Sequence, residues 1–147
     1  MQKVKKTVER TIKEQVTVYV ANDGTEFKTE AECDYYEATL SREAVLKRDD
    51  VRVMHIGPPC DGEHFSYDYE YLWVMPLSYE ACEALGKAYE SDWCDENSFI
   101  VGKWSCIELD FDDMAIGILL DSVMDNIKRQ FSLLGYEVEF IERVEGK

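Results

Sequence analysis

The sequence predicts an α+β fold: a mixed, partly antiparallel sheet of about five strands with three helices, in the order β-α-β-β-α-β-α-β. Three observations lead there. Short runs rich in Val, Ile, Tyr and Trp alternate apolar and polar residues, as half-buried strands do. Between them lie segments with apolar residues at helical spacing, opened by Thr29, by Ser78 and by a pair of aspartates. The link between the second and third strands is too short for a crossover, so part of the sheet is antiparallel. At 147 residues, 46% hydrophobic and 12% aromatic, the chain matches one packed domain over residues 1–147, with its helices on one face of the sheet.

Val16-Thr-Val-Tyr-Val20 is the first strand, its pattern traceable back through Val8 and Ile12. Asn22-Asp23-Gly24 ends it, since Asn and Gly tolerate positive φ. Thr29 and Glu32 form a capping box for a helix over about 30–47, with Cys33, Tyr36, Leu40 and Ala44 at helical spacing. Arg52 to Ile56 is the second strand, stopped by Gly57-Pro58-Pro59, and Phe65 to Met75 is the third, stopped by Pro76. Ser78 caps a second helix whose apolar face holds Ala81, Cys82, Leu85 and Ala88. A polar loop, Ser91 to Ser98, leads to a fourth strand through Phe99, Val101 and Ile107. Asp112 and Asp113 open a third helix, where carboxylates suit the dipole. Its stripe is Ile116, Leu119, Val123, Ile127, Phe131 and Leu134, and Gly135 stops it. Tyr136 to Val144 alternates again as a final strand.

The formal net charge is −15, and its distribution is uneven. Residues 1–59 hold 11 acids and 10 bases, residues 126–147 hold four of each, and residues 60–125 hold 16 acids against Lys87 and Lys103 alone. Phosphate binding needs a basic face, which excludes nucleic acid as a direct ligand, and an anionic membrane is excluded likewise. A basic protein surface is the complementary partner, although such charge also serves plain solubility. No apolar run is long enough to span a bilayer, and no apolar stretch follows the basic start Met-Gln-Lys-Val-Lys-Lys as a secretory signal would require. Five widely spaced cysteines, odd in number and without a Cys-x-x-Cys pair, fit free thiols in a cytoplasmic setting.

His55, Cys60 and His64 surround Gly57-Pro58-Pro59 and include the residue types of zinc sites and of thiol catalysis. Their spacing matches no standard zinc pattern and no fourth ligand is evident, so no metal or cofactor is expected. Glu108, Asp110, Asp112 and Asp113 group four carboxylates, yet no mid-loop Gly and no closing Glu complete an EF-hand. Phosphate-cradling and nucleophile-elbow motifs are absent as well. What stands out is the acidic middle. Glu90, Asp92, Asp95 and Glu96 crowd one loop around Trp93, while Asp121 and Asp125 stand i,i+4 on the third helix, about 5–6 Å apart at Cβ. With Asp110, Asp112 and Asp113 these residues form the expected partner-binding set: acids to meet an Arg/Lys-rich surface, and Trp93 as anchor.

The segment Tyr19-Val-Ala-Asn-Asp-Gly-Thr-Glu-Phe-Lys-Thr-Glu-Ala-Glu-Cys-Asp-Tyr-Tyr-Glu37 resembles an element of small phage-encoded proteins. There a strand ends in Asp-Gly-x-x-Phe, and a Thr- or Ser-capped helix with Cys or Ala and Tyr-Glu follows. The resemblance covers 19–37 only. It implies a phage accessory protein of the small acidic kind that includes anti-CRISPR and anti-restriction inhibitors, some of which imitate the charge of DNA. The expectation is therefore a non-enzymatic inhibitor acting in an infected or lysogenic bacterial host, bound to a basic, nucleic-acid-binding defence protein. The alternatives are a small metal-dependent or cysteine-based enzyme on His55, Cys60 and His64, and a phage structural or assembly protein.

Overall fold

The computed structural model describes residues 2–6, 15–63, 66 and 68–143. The chain forms two compact units, Met1–Glu37 and Ala38–Lys147. The fold is α+β: three helices, a two-stranded sheet and a four-stranded sheet, with every strand pair antiparallel among the described residues.

The first unit is built around a tight hairpin. Strands β1 (Tyr19–Val20) and β2 (Glu26–Phe27) pair Tyr19 with Phe27 and Val20 with Glu26. Gly24 turns the chain at φ +90°, a conformation that suits glycine. The Asp23 carboxylate accepts bonds from Thr25 N at 2.9 Å and from the Tyr36 hydroxyl at 2.7 Å. The Tyr36 bond is the main reason its pKa is lowered. The Tyr36 ring packs on Phe27 with centroids 5.0 Å apart. Helix α1 (Glu30–Leu46) starts where the Thr29 hydroxyl accepts from Glu32 N at 3.2 Å, as its capping pattern requires. The expected long first strand is not found: residues 15–18 carry no strand pairing, and Val16 and Val18 are exposed. Val8 and Ile12 lie outside the described residues.

In the second unit β3 (Val51–Met54), β4 (Glu70–Pro76), β5 (Ser105–Leu109) and β6 (Ala115–Leu119) form a meander in sequence order. Alternation assigns the two faces. Leu72, Val74, Ile107 and Ala115 meet Ala81, Cys82, Leu85 and Ala88 of helix α2 (Tyr79–Ala88), joined by Val45 of α1. Trp73, Cys106 and Ile118 point the other way, against Val123, Leu120 and Ile127 of helix α3 (Leu120–Leu133). Helices therefore cover both faces, and the expectation of one covered face is corrected. The physical reason is that β4 and β5 are apolar on both sides, with Leu72, Trp73 and Val74 buried in succession. The stripe expected on α1 holds at Cys33, which is buried, and at the half-buried Tyr36, but Leu40 and Ala44 are exposed and Val45 is buried in their place.

Helix α2 begins as expected, with Ser78 accepting from Ala81 N at 3.0 Å. Two later elements differ. Residues 99–104, expected in the fourth strand, form a loop that turns at Gly102 (φ +77°) before β5 begins. Asp112 and Asp113 do not open a helix. They sit in the β5–β6 turn, where the Asp110 carboxylate accepts from Asp112 N and Met114 N, each at 2.9 Å. Ile116 and Leu119 lie on β6, which runs straight into α3 without a loop. Helix α3 stops as expected at Gly135 (φ +90°), with Gly135 N bonded to Ser132 O and Tyr136 N to Phe131 O. The segment that follows, expected as a strand, carries no strand pairing over residues 136–143, and Val144 lies outside the described residues.

Candidate acidic interface

Helix α2 ends on the buried Tyr89, and Glu90 is the first residue to emerge into solvent. The next residues form a tight turn in which Ser91 and Cys94 exchange backbone bonds, Ser91 N to Cys94 O at 2.9 Å and Cys94 N to Ser91 O at 3.4 Å. Cys94 anchors this turn in the core, and burial pushes its thiol up to about 11. The Ser91 hydroxyl donates to Ala115 O and accepts from Trp93 N at 3.0 Å. Trp93 O then accepts from Gly117 N at 3.1 Å, which fixes the turn to the outer edge of β6. Asp92 and Trp93 are thereby held at an apex, with the indole 65% exposed.

Asp95 has a structural task as well as a charge. Its carboxylate accepts from Asn97 N at 2.8 Å, and the Ser98 hydroxyl accepts from Asp95 N at 3.2 Å, closing a capping box on the 3-10 turn Glu96–Ser98. Two glycines make room for that turn. A Cβ at Gly86 would lie 2.6 Å from Glu96 Cα, and one at Gly117 would lie 2.5 Å from Ser98 Cβ. Both are the absence of a side chain that packing demands, and the sequence reading missed both. An isolated glycine inside a helix, away from either cap, was the available signal.

The β5–β6 turn stands near the same end of β6, because Trp93 registers with Ile116. Asp113 holds φ +56°, and its carbonyl accepts from Arg42 Nη2 at 2.8 Å. Arg42 Nε donates to Ala88 O at 3.1 Å, and the guanidinium lies 4.9 Å from the Tyr89 ring centroid. Arg42 thus binds backbone carbonyls and an aromatic face and leaves the carboxylates free of it. Phe111 at the turn's tip is 74% exposed and meets Tyr69 edge-on at 5.4 Å.

Of the ten residues expected at the interface, the structure groups eight: Glu90, Asp92, Trp93, Asp95, Glu96, Asp110, Asp112 and Asp113. Asp121 and Asp125 are exposed on α3 but follow the other end of β6, a strand about 17 Å long. Asp121 also meets the positive end of a helix whose cap, Leu119, offers no side-chain bond. Among the described residues no ion pair neutralises any of these acids; the recorded pairs are Arg48–Asp50 and Arg129–Glu63. Beside the loop lie two adjoining hollows of about 460 and 330 Å³, both lined by Glu83 and Glu96, with Lys87 the one cation on their walls among the described residues. Glu83 was not among the expected residues, since on α2 alone it reads as an ordinary solvated acid.

The chain matches no family model, no curated protein and no solved structure.

Of the three residues of the alternative chemistry, His55 and Cys60 are described. Among the described residues no three His, Cys, Asp or Glu side chains are placed to share a metal ion, and His64 lies outside them. Glu108 is buried beside Tyr71, its cross-strand neighbour, whose hydroxyl has no hydrogen-bond partner among the described residues and is pushed up to about 12, burial being the leading cause. Cys33, Cys82, Cys94 and Cys106 are buried thiols with raised pKa values, desolvation being the leading cause in each. A thiol so raised is a poor nucleophile near neutrality. Cys60 is exposed, as is His55. No helix among the described residues is long and apolar enough to cross a membrane.

Proposed function

We propose that this is a non-enzymatic binding protein whose acidic face occupies the basic, nucleic-acid-binding surface of a host protein, as phage-encoded inhibitors of defence nucleases do. One observation carries this reading: exposed carboxylates surround the exposed Trp93 on a turn pinned to β6 at two backbone positions, and no cation neutralises them among the described residues. Rigid display lowers the entropy lost on binding. Acids give attraction and speed, and an aromatic at the centre gives a desolvated anchor. The phage origin rests on the resemblance over residues 19–37.

The test is retention of proteins from a bacterial lysate at ~50 and ~500 mM salt, since screening weakens exposed charge attraction. Glu90, Asp92, Glu96 and Asp112 reversed to Lys should abolish the salt-sensitive retention, and added duplex DNA should displace the native complex. Asp95 is left intact because it caps the 3-10 turn. Reversal of Glu30 and Asp34 on α1 controls for net charge, with Glu37 left intact because its carboxylate accepts from Asn22 N. Native-level retention by the four-site variant would refute the reading.

A further inference from the structure

The apolar stripe of α3 outruns the sheet it packs on. Val123 is buried and Ile127 meets the core, but Phe131 and Leu134 are exposed, and Leu133 beside them is 85% exposed. Gly135 reverses the chain, and Lys128 Nζ lies 5.7 Å from the Phe140 ring centroid, so residues 136–143 return along the helix. They do not pack closely onto it. A hollow of about 580 Å³ lies between the helix and the returning segment, lined by Lys128, Ser132, Tyr136 and residues 137–139. Tyr136, Phe140 and Ile141 are exposed in turn. Phe131, Leu133, Leu134, Tyr136, Phe140 and Ile141 thus leave large apolar surface in water within one short stretch, which on a stable surface marks an interface.

Charge selects the occupant. Residues 126–147 hold four acids and four bases, a net of zero, whereas residues 60–125 hold 16 acids and two bases, a net of −14. Two copies of this chain repel through their acidic regions and can approach here. The returning segment, Tyr-Glu-Val-Glu-Phe-Ile-Glu-Arg over 136–143, alternates like a strand yet has no strand neighbour among the described residues. Antiparallel pairing with its own copy, centred on Phe140, sets Glu137 opposite Arg143 on both sides of the two-fold axis. Tyr136, Val138 and Phe140 then share one face.

We propose that α3 from Phe131 onward and residues 136–143 form a self-association surface occupied by a second copy of this chain. Seven paired residues span only about 24 Å, so the interface falls in the small class that exchanges readily. Sedimentation equilibrium from about 1 to about 200 µM should show the 17.1 kDa chain shifting toward twice that mass as concentration rises. Glu137→Arg places like charges opposite each other twice and should weaken association by about tenfold or more. Adding Arg143→Glu to it should restore association, because the pairs are then re-formed in reverse. All variants should keep the native circular dichroism spectrum, since both positions are exposed. A monomer at every concentration overturns the proposal, as does a dimer indifferent to Glu137→Arg. A monomer that co-sediments with neutral phosphatidylcholine vesicles would overturn it in favour of a lipid surface.

Discussion

Gly86 sits in the body of α2, where replacing Gly with Ala ordinarily stabilises a protein by up to about 1 kcal/mol. The structure reverses that sign. A Cβ at this position would lie 2.6 Å from Glu96 Cα and 2.9 Å from the Asp95 carbonyl carbon, both backbone atoms of the capped 3-10 turn. No rotamer change relieves such a clash, so either α2 or the turn must shift. Overpacking of a close-packed site costs about 1–3 kcal/mol, and a clash with backbone atoms belongs in the upper half of that range, above the propensity gain. Gly86→Ala should therefore lose about 1–2 kcal/mol net. With a urea slope near 2 kcal/mol/M, the midpoint should fall by roughly 0.5–1 M. Because a Cβ at Gly117 would meet Ser98 of the same turn, Gly86→Ala and Gly117→Ala should couple, the pair differing from the sum of the singles by at least about 0.5 kcal/mol. Equilibrium urea unfolding followed by tryptophan fluorescence measures all three variants. An unchanged or raised midpoint for Gly86→Ala would refute the claim that the turn is seated in this notch, and with it the rigidity of the acidic loop.

Other expectations follow from the same geometry. Asp50 accepts from Arg48 Nε at 2.8 Å and from the Ser78 hydroxyl at 2.6 Å, and these bonds, Arg48 first, hold its carboxyl well below the usual range. A depressed folded-state pKa stabilises the protein above the unfolded-chain pKa and ceases to do so as pH falls. Asp50→Asn should flatten the decline of the urea midpoint below about pH 5, and an unaltered acid limb would contradict this. Cys60 should be the one thiol among the five that alkylates promptly in the native protein, the other four reacting only on unfolding, with mass spectrometry counting the adducts. Arg42→Met should free the Asp113 and Ala88 carbonyls and raise protease sensitivity at the β5–β6 turn; cleavage at the native rate would count against a tethering role.

Where local chemistry and burial agree, the fold was legible. Ser78 and Thr29 are caps because their hydroxyls reach the free amides of their helices, and Gly24 and Gly135 take the positive φ that their positions implied. The misreading of residues 110–119 has a definite cause. Ile116, Leu119, Val123 and Ile127 fit one helical stripe only because β6 enters α3 with no intervening loop. Both faces of β6 are covered, so Ala115 to Leu120 reads apolar without interruption, and period alone cannot separate a doubly buried strand from a helix. Asp110-Phe-Asp-Asp-Met between two apolar runs was the better signal: a short polar loop that favours a hairpin. The alternation of residues 136–143 is equally real. A strand, though, exists by its neighbour, and residues 136–143 pair with none among the described residues, while Trp93 bridges the β6 edge at Ile116.

The same distinction governs the acidic face. Sequence could count carboxylates but could not sort those whose oxygens are committed from those that are free. Asp110 accepts two backbone bonds within its own turn, and Asp95 holds a capping box, so both are fixed by the fold before any partner arrives. Among the described residues none donates such a bond to Glu90, Asp92, Glu96 or Asp112, and all four stand exposed. The two classes depend on each other. Asp95 and Asp110 set the shape of the loops from which the free acids project, while Ser91 and Gly117 fix the loop to β6. Reversing a committed acid therefore disturbs geometry and charge together, and reversing a free one changes charge alone. A loss of binding reports on electrostatic recognition only when it is produced by the second class.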